Sequence, residues 1–378
     1  MKVLFLSQGK EVKVHPGWND ALVQLKDEGQ ISNFCNIPYF GYAEKHGWEA
    51  FYSHVVTLCK EQHFNLVYFH HFHKKGKPSP RSCIKQLLKL IERPIVITSV
   101  GDGFSDNWMW PDYPKDFKAV SQLSDITFST QMGKTADKMT KWGVKNIVLM
   151  PNGMCQARFK AQIIEPKTHK FDFDVVFVGS KNKPRIVNPI SKYWFAARER
   201  EKLVMALYGR YGKRFGLFGN GWDCPASQGP IPFNQSQESF RKGRIVVGGN
   251  PYSYSDYSSS NRPFIEISSG IPTIELATPR FDNILRNNDH FYFSKDIKDV
   301  IGRCDELLDA EPNELYQKAA KAAQYIEEKH THYHRMKFII DTVKRFVKNN
   351  NQLDVHFPFF LPEVNLVEEN EYAARINN

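Results

Sequence analysis

The sequence has no run of apolar residues that approaches the roughly 18 needed to span a membrane. Its opening, MKVLFLSQGK, has only a short apolar run and lacks the basic, apolar and small-residue order of a signal peptide. The six cysteines lie far apart without a CxxC pair, so the sequence indicates neither a zinc site nor a disulfide framework. These absences predict a cytoplasmic, soluble protein without a membrane span.

Acidic residues are outnumbered, with 41 Asp and Glu against 51 Lys and Arg, which gives a net charge of +10. A basic surface suits a polyanionic partner such as nucleic acid. Basic enzymes with neutral substrates are also common, so charge alone leaves the partner open. At 378 residues, 41% of them hydrophobic, the chain is long enough for two globular domains.

Short apolar runs of strand length alternate with helix-length segments in the first half of the chain. The runs are KVLFL, FNLVYFH, PIVITSV, SDITFS and KNIVLM. The alternation restarts at FDVVFVGS and continues through RFGLFGN, GRIVVGGN, IPTIELA and HFYFS. This order predicts an α/β protein with two parallel, doubly wound, Rossmann-like sheets.

The two repeats predict three parts of the chain. Residues 1–152 form the first Rossmann-like domain, 170–330 the second, and 331–378 a helix and arm that return to the first domain. The predicted helix runs from about Glu311 to Val347. A hinge near Pro151 leaves a cleft between the carboxyl ends of both sheets, where open α/β sheets bind ligands.

The strand PIVITSV ends at Gly101, Asp102 and Gly103. An acid between two glycines at the carboxyl end of a central strand is exposed to the cleft, so Asp102 is a candidate catalytic residue that orients or deprotonates an acceptor hydroxyl. A glycine turn with a capping aspartate explains the same pattern.

A basic stretch, FHHFHKKGKPSPR, follows the second strand. Its histidines are too poorly supported by Cys or acidic partners to indicate a metal site. A loop that contacts a phosphate backbone and a merely solvated loop both fit the pattern. A second basic stripe comprises Lys134, Lys138, Lys141 and Lys145. The candidate acceptor-binding residues are His70, His71, His73, Lys74, Lys75 and Lys77.

Six segments follow one another along the chain: VLMPNGM, FDVVFVGS, FGLFGNGW, VVGGNP with SSSNRPFIEISSGIPTIEL, HFYFSKDIKDVI and THYHRM. In this order they resemble the two-domain GT-B glycosyltransferases of the retaining type, and among them the CgeB-like (spore maturation protein) branch. A DNA-base glycosyltransferase of the phage type is one form that this resemblance allows. The resemblance covers about residues 145–340, and the N-terminal domain only in layout.

The resemblance implies a donor site in the second domain. Gly179 and Ser180 end a strand, where the backbone can approach a phosphate. The segment FGNGW resembles the one that borders the donor base. The candidate donor-binding residues are Gly179, Ser180, Arg185, Asn220, Gly221, Trp222, Arg262 and Glu266.

Arg262 and Glu266 permit two interpretations. Their spacing allows a local ion pair on an exposed helix face. Alternatively, Arg262 clamps the donor's diphosphate and Glu266 accepts the ribose hydroxyls in a solvent-reachable cleft. In the related enzymes a Glu-x7-Glu motif ends with the ribose-binding glutamate at the place of Glu266, but its first position is Ser258 here.

The predicted function is a metal-independent, retaining glycosyltransferase without a cofactor, whose co-substrate is a nucleotide sugar, in particular a UDP-sugar. Two acceptors compete: a hydroxylated DNA base, which the charge slightly favours, and a surface saccharide or protein. A DNA base would have to leave the stack to enter the cleft. A non-catalytic module that binds nucleotide sugars is the alternative from another functional class.

Overall fold

The structure is a computed structural model of the chain that describes residues 1–73, 78–101, 115–181, 192–249 and 255–353. The predictions that rest on Asp102, Lys74, Lys75, Lys77 and Arg185 lie outside these ranges. No helix within the described residues is both long and apolar enough to cross a membrane.

The N-terminal half alternates strands and helices. Its elements are β1 (Lys2–Ser7), α1 (Pro16–Asp27), β2 (Asn33–Pro38), α2 (Tyr39–His46), α3 (Trp48–Gln62), β3 (Leu66–His70), α4 (Arg81–Leu87), β4 (Ile95–Val100), α5 (Lys115–Leu123), β5 (Ile126–Ser129), α6 (Lys134–Lys141) and β6 (Ile147–Leu149). The strands form one parallel sheet in the order β2-β1-β3-β4-β5-β6.

Both faces of this sheet are covered, as alternation along β1 shows. Val3 and Phe5 pack with Leu22 of α1 on one face. Leu4 and Leu6, which point the other way, pack with the apolar side chains of α3 and α4. Burial on both faces explains why these strands read as continuous apolar runs in the sequence.

The C-terminal half repeats the plan. Its elements are β7 (Phe173–Val178), α7 (Lys192–Tyr211), β8 (Phe215–Phe218), α8 (Ser236–Phe240), β9 (Gly243–Gly248), α9 (Arg262–Ser268), β10 (Thr273–Leu276), β11 (Tyr292–Ser294), α10 (Ile297–Asp309), α11 (Pro312–Lys329) and α12 (His332–Lys348). The sheet is parallel, in the order β11-β10-β9-β7-β8. The predicted α/β class with two parallel sheets is confirmed.

Strand order fixes where each sheet opens. In the first sheet the chain leaves β1 for β2 on one side and returns to β3 on the other; in the second it leaves β7 for β8 and returns to β9. At such a switch point the connections after two neighbouring strands diverge and leave a crevice. The two crevices therefore lie beyond β1 and β3, and beyond β7 and β9.

The last helix packs on the N-terminal half. Met336, Ile339 and Val343 of α12 are buried in the same cluster as Leu22 and Leu25 of α1. Each buried aliphatic side chain of this kind is worth about 1.5–3 kcal/mol, so α12 ties the end of the described chain to the first sheet. The domain boundaries proposed from the sequence stay a prediction.

One local expectation was wrong and two elements were missed. The helix predicted from Glu311 to Val347 is two helices, because the chain leaves the helical path at His330 and Thr331, where the Met154 N–H donates to the His330 carbonyl at 2.8 Å and the His332 N–H donates to the Met154 carbonyl at 2.9 Å. The sequence reading also omitted β2 and α2. The strand β2, NFCNIP, lies at the sheet edge, where Asn and Pro are tolerated and the apolar pattern is weak.

Candidate donor and acceptor sites

At the switch point of the C-terminal sheet, the backbones of the loops after β7 and β8 pack closely against each other. Trp222 Nε1 donates to the Gly179 carbonyl at 2.6 Å. Gly219 has a φ of 135°, and a Cβ there would lie 2.4 Å from the same carbonyl oxygen. Only glycine allows the loops after β7 and β8 to meet this closely. The indole of Trp222 also packs edge-on to Phe177 at 6.1 Å, so this ring supports the loop.

Two guanidinium groups converge on this edge. Arg200, buried on α7, donates to the Gly249 carbonyl at 2.7 Å and to the Ser180 carbonyl at 3.4 Å. Arg262 donates to the Gly249 carbonyl at 3.3 Å. A Cβ on Gly179 would lie 3.0 Å from Arg262 Nη2, so the absence of a side chain at position 179 leaves room for the Arg262 guanidinium. Two guanidinium groups at one switch point are an arrangement that can bind an anion.

Glu266 lies beneath this edge, with no exposed surface. Arg262, on the same helix, donates to the Gly249 carbonyl and not to Glu266, whose two oxygens have no hydrogen-bond partner among the described residues. The interpretation of Arg262 and Glu266 as an ion pair on an exposed helix face is therefore wrong. The solvent-reachable position expected for Glu266 is also wrong, because the carboxyl group is packed under Gly248. Its role as a ribose ligand stays a prediction.

The helix that carries Arg262 and Glu266 has only seven residues. A single short helix of this kind supplies little dipole. Any diphosphate at this edge would therefore be met mainly by guanidinium side chains rather than by the helix N-terminus.

Asn220 and Gly221 lie beside Ser180 on the exposed side of the edge. The Asn220 N–H donates to Ser180 Oγ at 3.3 Å, and the Lys181 N–H donates to the Asn220 carbonyl at 2.8 Å. Lys181 itself pairs with Glu201 at 2.6 Å. The structure thus brings together seven of the eight donor-site candidates, all except Arg185, which lies outside the described residues.

The switch point of the N-terminal sheet is lined by imidazoles. His70 ends β3 and is fully buried, with its ring 4.9 Å from Trp18 and 4.3 Å from His71. On the other side of Trp18, His332 of α12 stacks at 4.8 Å. His15 completes the group, 5.5 Å from His70. We call these four histidines the imidazole cluster.

Burial keeps the imidazole cluster uncharged. It lowers the pKa of His71 and of His332 to about 3, and it lowers the pKa of His70 well below its usual value. Neighbouring positive charges would lower these pKa values further. At neutral pH the cluster therefore offers neutral nitrogens, each able to donate or accept a hydrogen bond.

His71 connects the imidazole cluster to the predicted catalytic loop. A Cβ on Gly101 would lie 2.3 Å from His71 Cε1, so the ring rests directly on the residue before Asp102. His73 Nδ1 donates to the His71 carbonyl at 2.8 Å, and its Nε2 lies 3.4 Å from Gln8 Nε2. No group of three His, Cys, Asp or Glu within the described ranges is arranged to hold a metal ion.

Hydrogen bonds join the loops that lead from the two sheets. Gln131 Nε2 donates to Ser258 Oγ at 3.1 Å, and Asn152 Nδ2 donates to the Ser259 carbonyl at 2.8 Å. Ser258 is buried. At the first position of the Glu-x7-Glu motif this chain thus has Ser258 in place of an acid, and its hydroxyl accepts from Gln131 of the N-terminal half.

Comparison with solved structures supports the two-sheet architecture. Anabaena HepE in complex with UDP and glucose matches with a TM-score of 0.56 at 11% identity, over 91% of this chain and 100% of that chain. A glycosyltransferase from Rickettsia africae matches with a TM-score of 0.53 at 11% identity, over 92% and 99%. The β-glucosyltransferase of phage T4 matches with a TM-score of 0.51 at 13% identity, over 91% and 99%.

The chain has the GT-B fold. Residues 198–341 also match the glycosyl transferase-like family model. No curated protein sequence gives a significant match. The region that matches the family model contains Arg200, Trp222, Arg262 and Glu266, so most of the charged edge of the GT-B C-terminal half lies inside it.

The sequence reading missed several residues of these sites. Glu275 is a buried acid in the apolar strand β10, and its presence in IPTIEL was the available signal. His15 and His332 reach the imidazole cluster from distant elements, and nothing in their local sequence indicates this position. Arg200 is not among the donor-binding residues expected from the sequence, because a single arginine in a charged helical segment gives no local signal.

Proposed function

We propose that this GT-B protein is a glycosyltransferase that takes its sugar from a nucleotide sugar, in particular a UDP-sugar. The observation that carries the proposal is the convergence of Arg200 and Arg262 on the Gly249 carbonyl at the switch point between β7 and β9. The region matching the glycosyl transferase-like family supports it, as do similar folds solved with UDP and glucose or with UDP-glucose.

Departure of a nucleoside diphosphate leaves negative charge that preorganised cations stabilise. In the proposed reaction Arg262 binds the diphosphate in bidentate fashion, and Arg200 holds the Gly249 and Ser180 carbonyls that shape the edge. Glu266, whose two carboxyl oxygens have no hydrogen-bond donor among the described residues, accepts the ribose hydroxyls. Asp102 orients the acceptor hydroxyl or takes its proton.

The resemblance to retaining enzymes supports same-face attack without a protein nucleophile and without a metal ion, with the leaving diphosphate helping to take the proton. NMR of the anomeric proton in the first product distinguishes retention from inversion. Transfer that continues in excess EDTA supports the metal-independent form, and loss of transfer that Mg²⁺ or Mn²⁺ restores contradicts it.

Nucleotide binding is the direct test of the donor site. Thermal unfolding should be followed with UDP, GDP, ADP and UDP-glucose, since a ligand at 100 times its Kd adds about 2.7 kcal/mol of stability. Stabilisation by uridine nucleotides, with slow release of free sugar from UDP-glucose, supports an enzyme. Binding without any sugar release favours the non-catalytic module, and no binding of any nucleotide contradicts both.

For the acceptor we propose a hydroxylated DNA base. The net charge of +10 supports this choice. So do the exposed Lys134, Lys141 and Lys145 near α6, although the exposed Asp137 lies among them. Phosphate contacts of this kind position DNA without reading its sequence.

The test is the salt dependence of duplex binding by the parent and by the triple variant Lys74→Ala, Lys75→Ala and Lys77→Ala. Each lost phosphate contact should flatten the log–log slope by about 0.9, so by up to about three units in the triple variant. No DNA binding by the parent at low salt, or equal transfer to a saccharide at every salt concentration, favours the surface saccharide or protein acceptor instead.

A further inference from the structure

An acidic residue lies in the middle of the C-terminal core. Glu275 is on β10, between Ile274 and Leu276, and is only 3% exposed. In the sheet register it stands opposite Gly248 of β9. Glu266, from the helix that precedes β10, is 0% exposed. Two carboxyl groups are thus buried on neighbouring elements.

Gly248 brings these carboxyl groups together. A Cβ on Gly248 would lie 2.2 Å from Glu275 Oε1 and 2.6 Å from Glu266 Oε2. Because both oxygens lie so near one point, they are within about 5 Å of each other, where two buried carboxylate charges repel strongly. Any residue larger than glycine at 248 would fill the space that they occupy.

The two carboxyl groups have few other partners. As ionised groups, both oxygens of Glu266 and Oε1 of Glu275 have no hydrogen-bond donor among the described residues. A proton on either group would join the two by a hydrogen bond. The charged groups that act on the pair are Arg262 of α9 and Arg200 of α7.

Burial raises the pKa of both glutamates, and the charge of Glu266 raises that of Glu275 further, while the two arginines lower both. Glu266 shares its helix with Arg262, whose charge favours an ionised neighbour, whereas Glu275 lies between Ile274 and Leu276 on β10, so the proton is placed on Glu275. These directions agree with the geometry, since an unpaired buried carboxylate is costly and a neutral carboxyl group that donates to it is not.

We propose that Glu266 and Glu275 hold one proton between them, with Glu275 the neutral hydrogen-bond donor that positions Glu266. Together with Arg200 and Arg262, the four side chains then carry one net positive charge at the donor's diphosphate. This part rests on the proposed function. Glu275 is a positioning residue that acts through Glu266, and ionisation of both glutamates would cancel the charge of the arginines.

The shared proton is tested in the protein without ligand. Infrared spectra of protein labelled with ¹³C-glutamate should show the carbonyl stretch of a protonated, buried carboxyl group at neutral pH. The band should disappear in Glu275→Gln and persist in Glu238→Gln, which changes an exposed glutamate of the same half. Absence of the band from the parent would overturn the proposal, whatever the protein binds.

The effect on the donor is tested by calorimetry with UDP-glucose, whose diphosphate has no terminal phosphate that titrates near neutral pH. As the pH rises from about 6 to about 9, the range in which buried glutamates are known to ionise, parental affinity should fall by about tenfold. Glu275→Gln should lack this fall because its amide cannot ionise, and Glu238→Gln should keep it.

Glu275→Ala separates positioning from charge. It removes the donor to Glu266, so UDP-glucose affinity at neutral pH should fall by about tenfold, and Glu275→Gln should recover most of it. Parental pH dependence in Glu275→Gln would contradict the proposal. If the infrared band is present but no variant binds UDP-glucose, the shared proton stands and the proposed donor function fails.

Discussion

The carboxyl edges of the two sheets are built from opposite kinds of polar group. Beyond β7 and β9, Arg200 and Arg262 lie over two buried glutamates. Beyond β1 and β3, the described residues place the imidazole cluster around Trp18. One edge holds fixed charge and the other holds imidazoles that burial keeps neutral. This difference matches a donor whose leaving group is anionic and an acceptor whose hydroxyl is neutral.

The two edges should respond to pH in opposite directions. The lowered pKa values of the imidazole cluster mean that unfolding takes up protons, so its stability is present above about 6.5 and lost as the pH falls. The raised pKa values of the glutamate pair mean that unfolding releases a proton. Its contribution is fully present below about pH 4.3 and is lost as the pH rises through the folded value.

The largest effect is expected from Asp102→Asn, at the residue that we propose meets the acceptor hydroxyl. The amide cannot accept the acceptor's proton, so sugar transfer should fall on the order of a hundredfold. Donor affinity should change little, because the donor site belongs to the other edge. Radiolabelled-sugar transfer and calorimetry with UDP measure the two quantities. If Asp102→Asn lowers sugar transfer and UDP affinity alike, Asp102 does not act on the acceptor alone.

Glu266→Ala should act on the charged edge. Charge-assisted hydrogen bonds are worth roughly 1.5–3 kcal/mol, so UDP affinity should fall by about tenfold to a hundredfold while the protein remains folded. Calorimetry measures the affinity, and thermal unfolding checks the fold. The matched control is Glu238→Ala, at an exposed position. Parental UDP affinity in Glu266→Ala would remove this residue from the donor site.

Arg262→Lys should reduce UDP affinity by about tenfold, since an ammonium group cannot reproduce a bidentate fork on phosphate. Arg303→Lys is the matched control, because Arg303 forms a surface ion pair with Glu306 at 3.1 Å. If UDP affinity is unchanged in both lysine variants, Arg262 does not bind the phosphates. The contrast between the two edges would then lack its main support.

Much of the fold follows from local patterns, but the contacts of the sites do not. Apolar runs predicted ten of the eleven strands that lie within the described residues, because burial on both faces gives a strand a continuous apolar sequence. Gly179 and Ser180 follow the end of β7, as expected, because strand ends are local too, and their role in donor binding stays a prediction. The pairing of Glu266 with Glu275 depends on the register that puts Gly248 opposite Glu275, which no local pattern contains. The imidazole cluster needs α12 to return, and a break at Thr331 that the helical pattern conceals.

The smallest effect is expected from His70→Phe, which keeps a ring among Phe5 and Trp18 but removes two buried ring nitrogens that have no hydrogen-bond partner among the described residues. Leaving such groups unpaired costs about 1–3 kcal/mol, so the variant should be as stable as the parent at pH 8, or more stable by about 1 kcal/mol.

Below about pH 6.5 the advantage of His70→Phe should grow, because one fewer group takes up a proton on unfolding. Urea unfolding at pH 8, 6 and 5 measures this slope, with the exposed His46→Phe as control. If the unfolding free energy of His70→Phe depends on pH as that of the parent does, burial does not keep His70 neutral. If His70→Phe lowers sugar transfer but not stability, His70 lies beside the acceptor. A residue with only a packing role would affect transfer only through stability.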